Sequence, residues 1–383
     1  EISACLVGSE MCIRDRIMND ADINNKIENF HGYDNIHGYD NFHGYDKFHT
    51  PFLSIAIASY NYGKYLDRAF EAILRQDFKD FEIVYLDDAS SDDSVDIIRR
   101  IIKEHPDMSI RLIQNSENMG IFESKTRLIR ECAGEFIMLC DADDWMADGC
   151  LEALVQAVKT EGTDRAVCEV VDIDDTGKQL QIQDLPPEPS RWLWNINHGC
   201  IYRRSIIIEN DIKIQLEPDD VNFITEFNRF SDKVSWIHRP LYYWYVHSDS
   251  SGRNISEHDR DETLSRFEEM MSYLGEICDS INSEQDRKEL KLLAMKLYYL
   301  YLFHTMKGYS CKEKCRGYRS VSRIMNTYFP GYLSSGALNG MDRKLRSYAY
   351  NIIRYSVLLE RLKLFLPAYM GYHLVSKVHY FDQ

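Results

Sequence analysis

Between Phe52 and Ile173 the chain repeats one pattern: a short apolar run, a polar turn, then a stretch with apolar residues three and four apart. Runs at Phe52–Ala58, Phe81–Leu86, Ile110–Gln114, Phe136–Cys140 and Arg165–Ile173 have the length of strands, and Phe136–Cys140 reads as buried on both faces. The stretches between them carry helical spacing: to about Gln76, from about Ser94 to Glu104, from Gly120 to about Cys132 and from about Asp148 to Thr160. Ser91 and Asp92 are good N-caps for the second of these. Such alternation predicts an α/β fold, a mainly parallel sheet with right-handed crossovers and flanking helices. Asp184–Asn197, with three prolines and two tryptophans, reads instead as a long irregular segment lying over the carboxyl end of that sheet. From about Glu257 the period becomes helical, with helices expected over Leu264–Ile277, Glu289–Met306, Arg316–Tyr328 and Arg343–Leu364. The apolar stretch Leu290–Phe303 is interrupted by Lys291 and Lys296 and is too short to span a bilayer comfortably.

The amino end follows neither pattern. Leu6–Arg16 resembles a translated sequencing adapter, so residues 1–16 are set aside, and no apolar run behind a basic leader suggests a signal peptide. A hexapeptide then repeats three times from Phe30 to Lys47, with His31, His37, His43 and His49 six apart. These histidines could capture a transition metal, or the repeat is a disordered linker, because three copies this short cannot stack into a core. The expected division is residues 1–50 as leader and linker, 51–255 as the α/β domain and 256–383 as a helical region.

Charge changes the picture more than composition does. The 383 residues carry a net −16, which argues against general nucleic-acid affinity. Glu284–Gln383 holds 17 Lys and Arg against 7 Asp and Glu, a net +10, leaving 28 against 54, a net −26, for the rest. A basic tail on an acidic body either meets an anionic membrane surface or pairs with the body. Leu358–Tyr372, with Arg361, Lys363 and several aromatics, reads as an interfacial membrane helix, a dimer contact or plain core. The ten cysteines follow no paired zinc-ligand spacing and read as reduced, mostly buried thiols of a cytoplasmic protein.

The chemistry gathers where strands end. Ser59-Tyr60-Asn61, Asp87-Asp88, Asn118 and the pair Asp141 and Asp143 all fall at the carboxyl end of one sheet, where open α/β sheets bind ligands. If Asp141–Asp143 stays extended, its two outer carboxylates share a side and repel unless a cation sits between them. Oxygen ligands with substrate phosphates suit Mg²⁺ or Mn²⁺. A solvated acidic turn is the alternative.

These segments, SIAIASYN, EIVYLDDASSDDS, NMGIFESKTRLI and GEFIMLCDADDW, resemble in order and spacing a family 2 glycosyltransferase of the GT-A fold, over about Phe52 to Ser251. The resemblance implies an inverting, metal-dependent enzyme that moves a sugar from a nucleoside diphosphate, that of uridine, to a saccharide or lipid-linked acceptor in surface-polysaccharide assembly, in the cytoplasm or at the inner membrane face. It implies that Ala58, Tyr60, Asn61 and Asp88 line the nucleoside pocket. Lys125 stands where relatives carry Arg, which keeps the positive charge and loses bidentate geometry. Asp141 would approach the ribose or the metal, Asp143 the metal, and His247 the metal or diphosphate. His198-Gly199 matches the family's glycine loop. Asp220 takes the position of the general base, with Asp219, which replaces the usual Glu, as fallback. A non-catalytic module on the same fold and a phosphoryl-accepting switch domain are the rival readings; the second leaves Asp220 and His247 unexplained.

Overall fold

The computed structural model describes residues 49–247, 260–306, 309–334, 338–339 and 342–376. The hexapeptide repeat up to residue 48 and the serines after His247 lie outside the described residues.

The alternating half of the chain folds as β1 (Leu53–Ser59), α1 (Gly63–Leu74), β2 (Phe81–Asp87), α2 (Ser94–Glu104), β3 (Ile110–Gln114), α3 (Ile121–Glu131), β4 (Phe136–Asp141), β5 (Trp145–Met146), α4 (Cys150–Glu161) and β6 (Arg165–Ile173). β7 (Gln179–Gln183), β8 (Cys200–Arg203), α5 (Arg204–Glu209), α6 (Asp219–Phe230) and β9 (Val234–Tyr245) complete it. The strands form one mixed sheet in the order β3-β2-β1-β4-β8-β6-β9-β5, with β7 paired to β6. The most apolar strands occupy its middle, where both faces are covered. One face packs on α1, α2 and α4 through residues such as Leu66, Phe70, Ile98 and Leu154, the other on α3 and α6 through Leu128, Ile129, Phe223 and Phe227.

Register makes the rim level. Ser59 pairs with Asp87, Ala58 with Asp141 and Asp87 with Gln114, so four parallel strands end side by side. β8 runs antiparallel between β4 and β6, which brings its leading residues, His198 and Gly199, to the same end. Gly199 has φ +66°, and a Cβ there would lie 2.6 Å from Cys168 Sγ, so only glycine fits.

Four strands lie outside the runs expected from the sequence: the short β5 and β8, and β7 and β9. β7 alternates Gln with Leu and Ile, and four of its five residues are exposed at an edge. β9 is interrupted by His238-Arg239-Pro240, where the pairing with β6 shifts register, so the sequence signals only its last residues.

The carboxyl third is helical: α7 (Arg260–Ser280), α8 (Glu284–Leu300) with a π-helical turn over Tyr301–Thr305, α9 (Cys311–Tyr328), α10 (Ser347–Arg361) and α11 (Phe365–Ser376). α8 and α9 begin earlier than their apolar spacing suggests because Ser283 and Ser310 cap them, the latter in a reciprocal box with Glu313. Leu358–Tyr372 is not one helix, since the chain breaks over Leu362–Leu364, and Phe365 and Tyr369 are core residues. No helix of the described residues is long and apolar enough to cross a membrane. The eight described cysteines are free, six of them buried.

Candidate active site

The first two loops of the rim are clipped together. Asn61, at φ +58°, donates its N–H to Ser90 Oγ (2.9 Å) and accepts from Ser91 N–H (2.8 Å). The Asp92 carboxylate accepts from the N–H groups of Gly63 and Ser94, both at 3.0 Å, joining the starts of α1 and α2. Tyr60 projects from this clip, 44% exposed. Asp88 is buried, and its carboxylate accepts from Asn115 Nδ2 (2.6 Å), Met119 N–H (2.8 Å) and Gly120 N–H (2.9 Å). It therefore fixes the loop before α3 and keeps one acceptor direction on Oδ2 for a ligand.

The acid run does not stay extended after β4. Asp144 N–H bonds to Asp141 C=O (3.2 Å), so the chain turns and the neighbours become residues three apart. Asp141 Oδ1 lies 3.2 Å from Lys125 Nζ, and the same ammonium lies 3.0 Å from Asp219 Oδ2. Burial works against the Asp141 charge, yet Lys125 holds its carboxyl below the ordinary value. Asp143 turns to the far end of β9, where its Oδ2 meets His247 Nε2 at 2.7 Å. Its backbone carbonyl accepts from Arg68 Nη2 (2.7 Å), a guanidinium stacked over Trp145 and Tyr245. Burial, then the charges of Asp144 and Asp141, push the Asp143 carboxyl up to about 6.

Asp144 is the most enclosed of the three. Its Oδ1 accepts from Tyr245 N–H (2.9 Å), and its Oδ2 lies 3.0 Å from His198 Nδ1. The His198 ring stacks on Trp244, 5.4 Å between centroids at 18°. Burial opposes charge on His198, but Asp144 beside it overrides burial and raises the ring to about 10, an imidazolium at neutral pH. Asp141, Asp144 and His198 place two oxygens and a nitrogen within 4.8 Å of one another, and the nitrogen becomes a ligand only once the imidazolium gives up its proton. Hard oxygens crowded at one strand end suit a divalent ion, and Lys125 and His198 stand among them as counter-charges.

Opposite this cluster stands the start of α6. Asp220 Oδ2 accepts from Asn197 N–H (3.1 Å) and Oδ1 from Asn197 Nδ2 (2.7 Å), while Tyr202 OH donates to Asn197 Oδ1 (2.7 Å). Burial and then Asp219 raise the Asp220 carboxyl above its ordinary value, which makes it a better proton acceptor. The segment carrying Asn197 is held from behind by the helical region: Asp286 accepts from Trp192 Nε1 (2.9 Å) and Arg191 Nη2 (2.9 Å), and Lys296 donates to Asn195 Oδ1 (2.6 Å).

The rim thus brings together Ala58, Tyr60, Asn61, Asp88, Lys125, Asp141 and Asp220. Asp143 and His247 form their own pair, and Lys125 faces carboxylates on both sides. Asp144, His198 and Asn197 are site residues to which the sequence assigned no role. Asp144 sits inside the acid run, but its turn geometry is invisible there; nothing local marks Asn197.

A mixed sheet with these flanking helices and a helical extension is the GT-A fold. The first 349 residues of TarS from Staphylococcus aureus, solved in complex with UDP, superpose with a TM-score of 0.60 over 86% of this chain and 93% of that one, at 16% identity. Residues 54–231 match the family model "Glycosyl transferase family 2", which makes that stretch of the chain a domain of the family 2 glycosyltransferase kind. It is 27% identical over 263 residues to the putative glycosyltransferase EpsH of Bacillus subtilis, 63% of this chain and 73% of EpsH. To the uncharacterized glycosyltransferase YibD of Escherichia coli it is 27% identical over 222 residues, 52% of this chain and 63% of YibD. The matched stretch therefore spans about two thirds of these relatives' length.

Proposed function

We propose that the protein transfers a sugar, with inversion, from a uridine-type nucleoside diphosphate to a hydroxyl of a saccharide or lipid-linked acceptor in bacterial polysaccharide assembly, on the cytoplasmic side. One observation carries this reading: Asp220, raised in pKa and gripped by Asn197, stands with Lys125 and the Asp141–Asp144 cluster at one rim. A base and a cation site at one rim suit substitution at an anomeric carbon. In this reading Ala58, Tyr60, Asn61 and Asp88 line the nucleoside pocket, and Lys125 supplies the positive charge beside Asp141 that the diphosphate meets. Asp141 holds a Mn²⁺ or Mg²⁺ ion, either with Asp143 and His247 or with Asp144 and His198. Such an ion supplies charge neutralisation at the departing diphosphate. Asp220 accepts the acceptor hydroxyl's proton, the new oxygen–carbon bond forms, and the bond to the diphosphate breaks with its electron pair leaving on phosphate oxygen. Residues 51–255 are the catalytic domain and 256–383 its helical extension.

The test separates the steps. Asp220→Asn should lower sugar transfer at least about 10²-fold while calorimetry finds UDP affinity in Mn²⁺ unchanged. Transfer that survives the substitution removes the base. A wild-type chain that binds UDP equally in Mn²⁺ and EDTA removes the cation site.

A further inference from the structure

From Arg346 to Ser376 the chain has four basic residues and one acid, Glu360. α10 turns that acid inward. Glu360 Oε1 accepts from the hydroxyls of Tyr298 (3.0 Å) and Tyr299 (3.1 Å), and Oε2 from Tyr332 (3.0 Å), on the side where Ile353 and Val357 join the helical core. The outward side carries Ile352, Tyr355 and Leu358 at three-residue spacing, continued by Leu362 and Leu364 in the break after the helix, all 42–59% exposed. These are five of the twelve large hydrophobic side chains exposed among the described residues, gathered within one short stretch. Single exposed apolar residues are ordinary, but a row of them on one helix face marks an interaction surface.

Cations line the row. At about 100° per residue, Arg354 and Arg361, seven apart, follow one edge of it, and Lys363 stands at its end. Arg361 donates to the carbonyls of Leu333 and Ser334. Among the described residues, none of the three cations is paired with a carboxylate. We propose that this face of α10 and the turn after it rests on an anionic lipid bilayer, with the apolar row among the acyl-chain ends and the cations at the head groups. A second copy docked two-fold on the same face would set Arg354, Arg361 and Lys363 against their own kind. An acidic protein surface would meet the cations yet leave the row against polar groups. A bilayer rich in anionic lipid satisfies both, and the absence of a spanning helix among the described residues fits surface docking.

Flotation of the full chain with vesicles of phosphatidylcholine alone, or with phosphatidylglycerol added, tests this. Binding is expected only with phosphatidylglycerol and should weaken as salt rises. Arg354→Gln and Lys363→Gln should each weaken it about fivefold, and Leu358→Asp with Leu362→Asp should weaken it more than about tenfold without changing the circular dichroism spectrum or melting temperature. No flotation, equal flotation with neutral vesicles, or flotation untouched by the double substitution overturns the proposal. A dimer in sedimentation that Leu362→Asp dissociates, with no vesicle binding, gives the row to a second copy instead. The outcome is independent of sugar transfer, because Asp220→Asn protein should float like wild type.

Discussion

The two sides of the site are built by different means. The side we propose for the donor stands on the ends of β1, β2 and β4, whose register sets Ser59, Asp87 and Asp141 level. The side we propose for the acceptor is assembled from a helix start and a loop: Asp220 is aimed by Asn197, which Tyr202 of β8 holds, and the segment before Asn197 is tied to α8 more than 90 residues on. A rim made by strand ends tolerates sequence change around it; a clamp made by a few polar bonds across two regions does not. The helical region is accordingly part of the site's architecture and not only a neighbour of it.

That contrast can be broken residue by residue. Asn197→Ala removes the Nδ2 bond to a buried carboxylate and leaves the backbone N–H bond in place; one charge-assisted bond is worth about 1.5–3 kcal/mol, so turnover should fall between about tenfold and a hundredfold while UDP affinity stays fixed. Loss of UDP binding in the same measure would mean the two sides are not separable. Asp143 sharpens the donor side. Burial first, and the neighbouring Asp144 and Asp141 next, put its pKa at about 6. Divalent-ion affinity should then fall about tenfold per pH unit below 6, and Asp143→Asn should flatten that dependence in a metal titration. The same shift has a stability sign. A carboxyl raised in the folded state contributes most below its unfolded value near 4 and loses that contribution as pH rises through about 6. Metal-free Asp143→Asn protein should therefore melt higher than wild type at pH 7.5. The smallest effect is expected at the clamp's far end. Asp286→Ala leaves Trp192 Nε1 without its acceptor and Arg191 with Asp232 alone, which should cost about 1–3 kcal/mol of stability and raise the acceptor KM in steady-state kinetics, with donor affinity unmoved.

The donor side was readable because everything it needs is local. Phe136–Cys140 is apolar and the next residue is Asp141, so strand and strand end lie within a few positions of each other. His198 and Asp144 were readable as residues but not as partners, since Asp144 comes round only through a turn and His198 only through an antiparallel strand. The broken segment at Leu358–Tyr372 teaches the same lesson from the other direction. Its apolar spacing is real, yet Phe365 and Tyr369 face the core while Leu358 and Leu362 face out, a division that depends on where the chain bends.

Sequence alone determined the alternation of strands and helices from β1 to β6 apart from the short β5, the acids at the carboxyl ends, the family resemblance and the change to a helical period, because each is a matter of neighbours within one element. Which acid meets which base, that Asn197 aims Asp220, and that Glu360 is turned inward so one face of α10 stays cationic and apolar were decided only in three dimensions. Those pairings join residues up to about a hundred positions apart, and no local period records them.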